Sequence, residues 1–243
     1  MSAFAYTRFE LRRTFRSRRF YLFSLGVPLL LYWVIAAPQH NKIIPSTPFT
    51  YGIYYMVSLA SFGTMVSMLA TGARIAGERQ VGWTRQLRIS PLSVRAYFRA
   101  KVLTAYAMAL LSLALLYVSG AALGVSLPAG RWLAMTGLIL VALVPFAALG
   151  ILIGHLITTD SAGPAMGGLL TFFALLGGAY FPITSGILHT IGQFLPSWWL
   201  VQAGHIALHG HGWDARGWIT VVAWTGILTA AAAWAYRRDT GKV

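Results

Sequence analysis

Six stretches of the chain contain no Asp, Glu, Lys or Arg and are dominated by apolar residues. They lie at about 20–37, 51–73, 102–125, 132–157, 162–182 and 218–236. Each is close to the ~20 residues that a helix needs to cross about 30 Å of hydrocarbon. The pattern predicts an all-α polytopic membrane protein, residues 1–243 forming a single transmembrane domain of six helices. Pro28 and Pro145 fall inside the first and fourth stretches and predict kinks there.

Two segments depart from this alternation. Residues 184–210, "TSGILHTIGQFLPSWWLVQAGHIALHG", are too apolar for a solvated loop but are broken by His189, Gln193, Pro196 and several glycines. One full crossing here would change the parity of the spans. The segment is therefore expected to form external interfacial or re-entrant helices within 183–217, before the last span. Trp198 and Trp199 are expected at headgroup level, with Trp132, Trp213 and Trp218. Residues 1–19 predict a basic interfacial helix, with Phe4, Leu11 and Phe15 on one face and Arg8, Arg12, Arg16 and Arg19 flanking it. Its long basic region, with no small-x-small site after the apolar stretch, does not read as a cleavable signal.

Composition supports the membrane reading, since 57% of residues are hydrophobic and only 10% charged. That is too little charge to cover a soluble domain. The net charge of +14 raises nucleic-acid binding, but the distribution of the cations argues against it. Sixteen of the 19 lie in three blocks, at 8–19, 74–101 and 237–242, each bordering an apolar run. The positive-inside rule then puts both termini and the 74–101 loop in the cytoplasm, facing the anionic leaflet of a bacterial inner membrane. Membrane lipids are expected partners. Lys42, Arg131 and Arg216 are the three left outside.

The search for chemistry returns little. There is no cysteine, and no Gly-x-x-x-x-Gly-Lys-[Ser/Thr] loop to bind ATP. The five acids, Glu10, Glu78, Asp160, Asp214 and Asp239, all map to loops or span ends, which disfavours an ion-coupled secondary transporter. His205, His209 and His211, with Asp214, are a candidate metal cluster. They lack the intervening Glu of a metalloprotease helix, so a membrane-embedded metal-dependent enzyme stands only as an alternative. His155 and Asp160 are expected to pair at a helix end. Gly163-x-x-x-Gly167 and Gly177–Gly178 are helix-packing candidates.

The basic loop "GERQVGWTRQLRISPLSVRAYFRAK" (77–101) is more specific. Residues 78–89 can form a short helix carrying Trp83 and Leu87 on one face and Arg85 and Arg88 on another. Ser90 can then cap a second helix with Pro91 at its first position. Glu78-Arg79, Gly82, Leu87, Pro91-Leu92-Ser93, Tyr97 and Lys101 stand in the order and spacing of the cytoplasmic loop of ABC-2 (type-2) ABC exporter permeases. Gly177-Gly178, Phe181-Pro182 and Leu195-Pro196 resemble that family's external motif. Trp83 departs from the frequent Thr or Ser, and Ala100 from Gly.

The resemblance covers essentially the whole chain and implies a non-catalytic transmembrane subunit of an ABC exporter. It implies that Glu78, Arg79, Gly82, Trp83, Leu87 and Pro91 form a coupling helix docking into a separate P-loop ATPase. That partner would supply ATP and Mg, and the chain itself would hold no cofactor. A second permease subunit, identical or related, is implied too, with the path at their interface. Phe62, Met65, Phe172 and Phe173 on the second and fifth spans are the candidate path residues. They suit an amphipathic drug, antibiotic or lipid-like substrate.

Overall fold

The computed structural model describes residues 3–17, 22–45, 47–83, 86, 92–209 and 212–240. Among these the chain is helical, with no strand beyond one isolated bridge, Ile43 to Thr50. Helix α1 is Ala3–Phe15, and α2 is an irregular helical run over 22–39. Pro28 sits in the first turn of the α-helical part of α2, with a π turn (Leu22–Gly26) before that part and another (Tyr32–Ala36) after it. Proline cannot donate to the i−4 carbonyl and its ring crowds that turn, so the ladder slips around it. Helix α3 is Tyr51–Gln80, α4 Val94–Ala122, α5 Ala129–Ala142 and α6 Val144–Leu156. A break at Leu143, with Pro145 in the next turn, separates α5 from α6. Helix α7 is Thr159–Leu176, α8 Gly186–Gly192, α9 Pro196–His209 and α10 Ala215–Thr240.

Among the described residues four helical runs are long and apolar enough to cross a membrane: α3, α4, α5–α6 together, and Ala215–Asp239 of α10. The first and fifth apolar stretches are helical too, over 22–37 and 162–176, but the apolar helix at 24–39 is short. Asp160, Pro164 and the glycines 163, 167 and 168 dilute α7.

Helix α3 is the axis of the bundle, buried among α2, α4, α6, α7 and α9. Its contact with α6 is backbone-close. A Cβ on Gly72 would stand 2.5 Å from the Gly150 carbonyl oxygen, and one on Gly150 would stand 2.6 Å from that of Met68. Gly150-x-x-x-Gly154 with Gly72 is thus the small-residue seam of the core.

Helix α9 inserts beside α3 and α5. Ser61, about ten residues and so about 15 Å into α3, donates to the Leu200 carbonyl at 3.1 Å. The deep end of α9 buries Trp198 and Trp199, with Trp199 Nε1 donating to the Gln193 carbonyl. These indoles are core rather than rim, because a helix hairpin at this depth surrounds them with protein.

Helix α1 meets the bundle through a face other than the one Phe4 and Phe15 share. It lies on α4 and buries Tyr6, Glu10 and Thr14, leaving Phe4 and Phe15 exposed. The acid at position 10 draws that side inward, toward Lys101 of α4.

Candidate functional site

The loop 77–101 begins as the last turn of α3. Val81 N–H donates to the Gly77 carbonyl, and Gly82 N–H to that of Arg79. Gly82 adopts φ 73°, the left-handed conformation that ends a helix cheaply only at glycine. Glu78 and Arg79 therefore belong to α3 itself, and helical turns resume at Trp83 and Gln86. Leu87 and Pro91, with Arg85, Arg88 and the expected Ser90 cap, lie outside the described residues. Where the structure resumes, Ser93 caps α4 by accepting from Ala96 N–H.

Both ends of this loop enter one buried ion cluster. Lys101 Nζ donates to Glu10 Oε1 at 2.6 Å and to Glu78 Oε1 at 2.5 Å. Arg13 completes it by donating to Glu78, and Tyr97 Oη donates to Glu78 Oε2 at 2.7 Å. The Lys101 and Glu10 side chains are each 1% exposed. Two carboxylates, one ammonium and one guanidinium balance in charge, as buried ions must. Tyr97 and Lys101 are one helical turn apart, which puts both on the same face of α4.

Burial works against the Glu78 carboxylate. Lys101, Tyr97 and Arg13 outweigh it and hold Glu78 below the usual carboxylate range. Burial and the Glu78 charge push the Tyr97 phenol up. Both groups lie beyond the apolar stretches read as spans. Tyr6, Tyr97 and Ala100 form a small apolar cluster beside the ions, against which Trp83, Leu92 and Phe98 pack.

The neighbouring Arg79 faces another way. Its Nε and Nη2 bond the two Asp239 oxygens at 2.7 and 2.5 Å. Its Nη1 donates to the carbonyls of Gly154 (3.0 Å) and Ile157 (3.3 Å), at the end of α6. His155 Nδ1 is 3.1 Å from Asp239 Oδ2, so His155 pairs with α10 rather than with Asp160 as expected. Asp160 instead occupies the first turn of α7, where the helix dipole favours an acid.

Of the candidate path residues, Phe62, Met65 and Phe173 are core, and the space between them admits no water-sized molecule. Phe172 is 50% exposed on α7. Gly163 and Gly167 on that helix have open space where a Cβ would stand, so they face away from the chain's other helices. Gly177 meets the Ser197 carbonyl of α9, and Gly178 turns at φ 74° with its carbonyl accepting from Tyr54 Oη.

His205 is stacked between Phe49 and Tyr54, with Nε2 3.4 Å from Ser58 Oγ. His211 and the His209 side chain lie outside the described residues, among which no three His, Asp or Glu gather.

Sequence reasoning did not anticipate Glu10, Arg13, His155 or Asp239 as members of these clusters. The available signal was scarcity: three of only five acids lie within basic blocks, where a solvated loop has no need of them.

The geometry can be set beside known proteins. A family model described as ABC-2 family transporter protein matches residues 36–235. The chain is also 30% identical over 207 residues to YvfS, named as a transport permease, of Bacillus subtilis (strain 168). That match covers 80% of this chain and 83% of the relative. The chain belongs to the ABC-2 family and is a membrane transport permease.

Proposed function

We propose that this permease is the transmembrane subunit of an ATP-driven exporter, with ATP hydrolysed by a separate P-loop subunit bound beneath the 81–93 segment. One observation carries the reading. The segment leaves α3 beside Glu78 and returns to α4 beside Tyr97 and Lys101, so both its roots are clamped by the same buried ions. A loop that only set topology would need its cations and not this base. Gly82 ends α3, and Trp83 sets an apolar surface at the base of the segment, against Tyr6 and Tyr97. Leu87 and Pro91 complete the docking element, with Glu78 and Arg79 acting as its anchors.

The membrane arrangement follows from the same reading. Six spans leave both termini and the docking segment in the cytoplasm. Helix α1 lies on the inner leaflet, with Phe4 and Phe9 turned outward beside Arg8 and Arg12. Helices α8 and α9 re-enter from outside. A second permease copy covers the open face of α7, where Gly163, Gly167 and Phe172 point away from the chain's own core. An amphipathic drug, antibiotic or lipid-like compound is the substrate class suited to that surface. The test is uptake of a fluorescent amphipathic dye into inverted vesicles containing both subunits. Uptake that needs ATP and survives collapse of the ion gradients supports the exporter. Uptake driven by an ion gradient without ATP sinks it.

A further inference from the structure

We infer that Arg79 is a positioning residue that ties the root of the docking segment to the ends of α6 and α10. Displacement of that segment then moves three helix ends together. The source of the displacement rests on the exporter reading; the tie itself does not.

Successive residues of an α-helix point about 100° apart, so Glu78 and Arg79 address different neighbours from the same turn. Glu78 reaches α1 and α4, whereas Arg79 reaches α6 and α10. The guanidinium uses its planar fork fully. Two nitrogens grip the Asp239 carboxylate, and the third serves carbonyls at the end of α6, where a helix leaves its last acceptors unsatisfied. A lysine ammonium has the charge without this planar reach. His155, itself on α6, closes the triangle from Asp239, with Phe98 and Tyr236 packed edge-on against its ring.

The two clusters differ in exposure. Lys101, Glu10 and Glu78 are sealed, with Arg13 at the solvent edge of their cluster, while both members of the Arg79–Asp239 pair are open to water, at 23% and 24% exposed. Water can replace one arm of the Arg79 pair as it opens, which the Lys101 cluster does not allow. The sealed pairs of Lys101 with Glu10 and Glu78 are thus a fixed hinge, and the partly solvated Arg79–Asp239 pair is a latch.

The chain has no cysteine, so single labels can be placed cleanly. The first arm uses the full chain alone in nanodiscs, with a nitroxide at Val81→Cys, an exposed site. Arg79→Ala and Asp239→Asn should each mobilise the label, and Arg79→Asp with Asp239→Arg should restore part of the immobilisation. If Arg79→Ala does not accumulate, Asp239→Asn carries the arm. A spectrum unchanged in the single variants overturns the tie.

The second arm adds the ATPase subunit and a label at Ile219→Cys, near the far end of α10. ATP with vanadate should shift that label in the wild type and fail to do so in Arg79→Ala while the ATPase still co-purifies. Persistence of the shift in the variant, or no shift in the wild type, overturns transmission through Arg79. An ATPase that does not bind even the wild type sinks the exporter reading, and the first arm still decides the tie.

Discussion

An ammonium group sealed from water beside two carboxylates has a large electrostatic stake in staying there. Lys101 meets both Glu10 and Glu78, and removing it leaves two buried acids with only Arg13 to balance them. Lys101→Met is expected to destabilise the protein by about 3–5 kcal/mol, the usual cost of breaking one side of a buried ion pair. Adding Glu10→Gln and Glu78→Gln should recover most of that loss, as read from thermal unfolding in detergent; no recovery would contradict the cluster. The pH dependence has a definite sign. The pKa of Glu78 is depressed on folding, so its contribution is complete above its unfolded value and lost as pH falls through the lower folded value. The stability gap between wild type and Glu78→Gln should be constant from pH 8 down to about 5.5 and narrow only below about 4. A step near neutrality would refute the assignment. At this scale the resemblance to the ABC-2 cytoplasmic loop marked Glu78, Tyr97 and Lys101. It could not show that they meet, because Glu10 and Arg13 arrive from a helix about 65–90 residues away in the chain.

At the level of helices, two glycines that look alike in the sequence do different work. Gly72 lets α3 touch α6 along the backbone, whereas Gly82 has nothing within 4 Å of its would-be Cβ and is held only by its positive φ. Gly72→Ala should therefore act by overpacking, at about 1–3 kcal/mol. Gly82→Ala should cost about 1 kcal/mol through backbone strain alone. Unfolding midpoints that reverse this order would contradict the α3–α6 seam. Among the described residues each of the six apolar stretches is helical over most of its length, and the break at Leu143 follows from Pro145. Small-residue spacing was a poor guide to the partner. Gly163-x-x-x-Gly167 faces away from the chain's other helices, while Gly150-x-x-x-Gly154, the same pattern one helix earlier, packs within the chain against α3. Spacing reports that close approach is possible, and only the fold says against what.

At the scale of the whole molecule, charge decides orientation and packing decides depth. A membrane-impermeant maleimide should label Asn41→Cys in intact cells, and Arg95→Cys only after permeabilisation; both side chains are exposed. The opposite pattern would invert the topology. The class was legible from the charge-free stretches and the basic blocks. The depth of α9 was not, because its broken apolar pattern fits a rim helix and a buried hairpin equally well until Ser61 and Leu200 are seen to meet. The exporter reading makes the 81–93 segment the seat of an ATPase. Co-purification of the P-loop subunit with the full chain tests it most directly, comparing wild type with Trp83→Asp/Leu87→Asp at equal expression and thermal stability. Retention by the wild type and loss in the double variant is the predicted result. A complex that survives both substitutions with its ATP hydrolysis and dye uptake intact would contradict it.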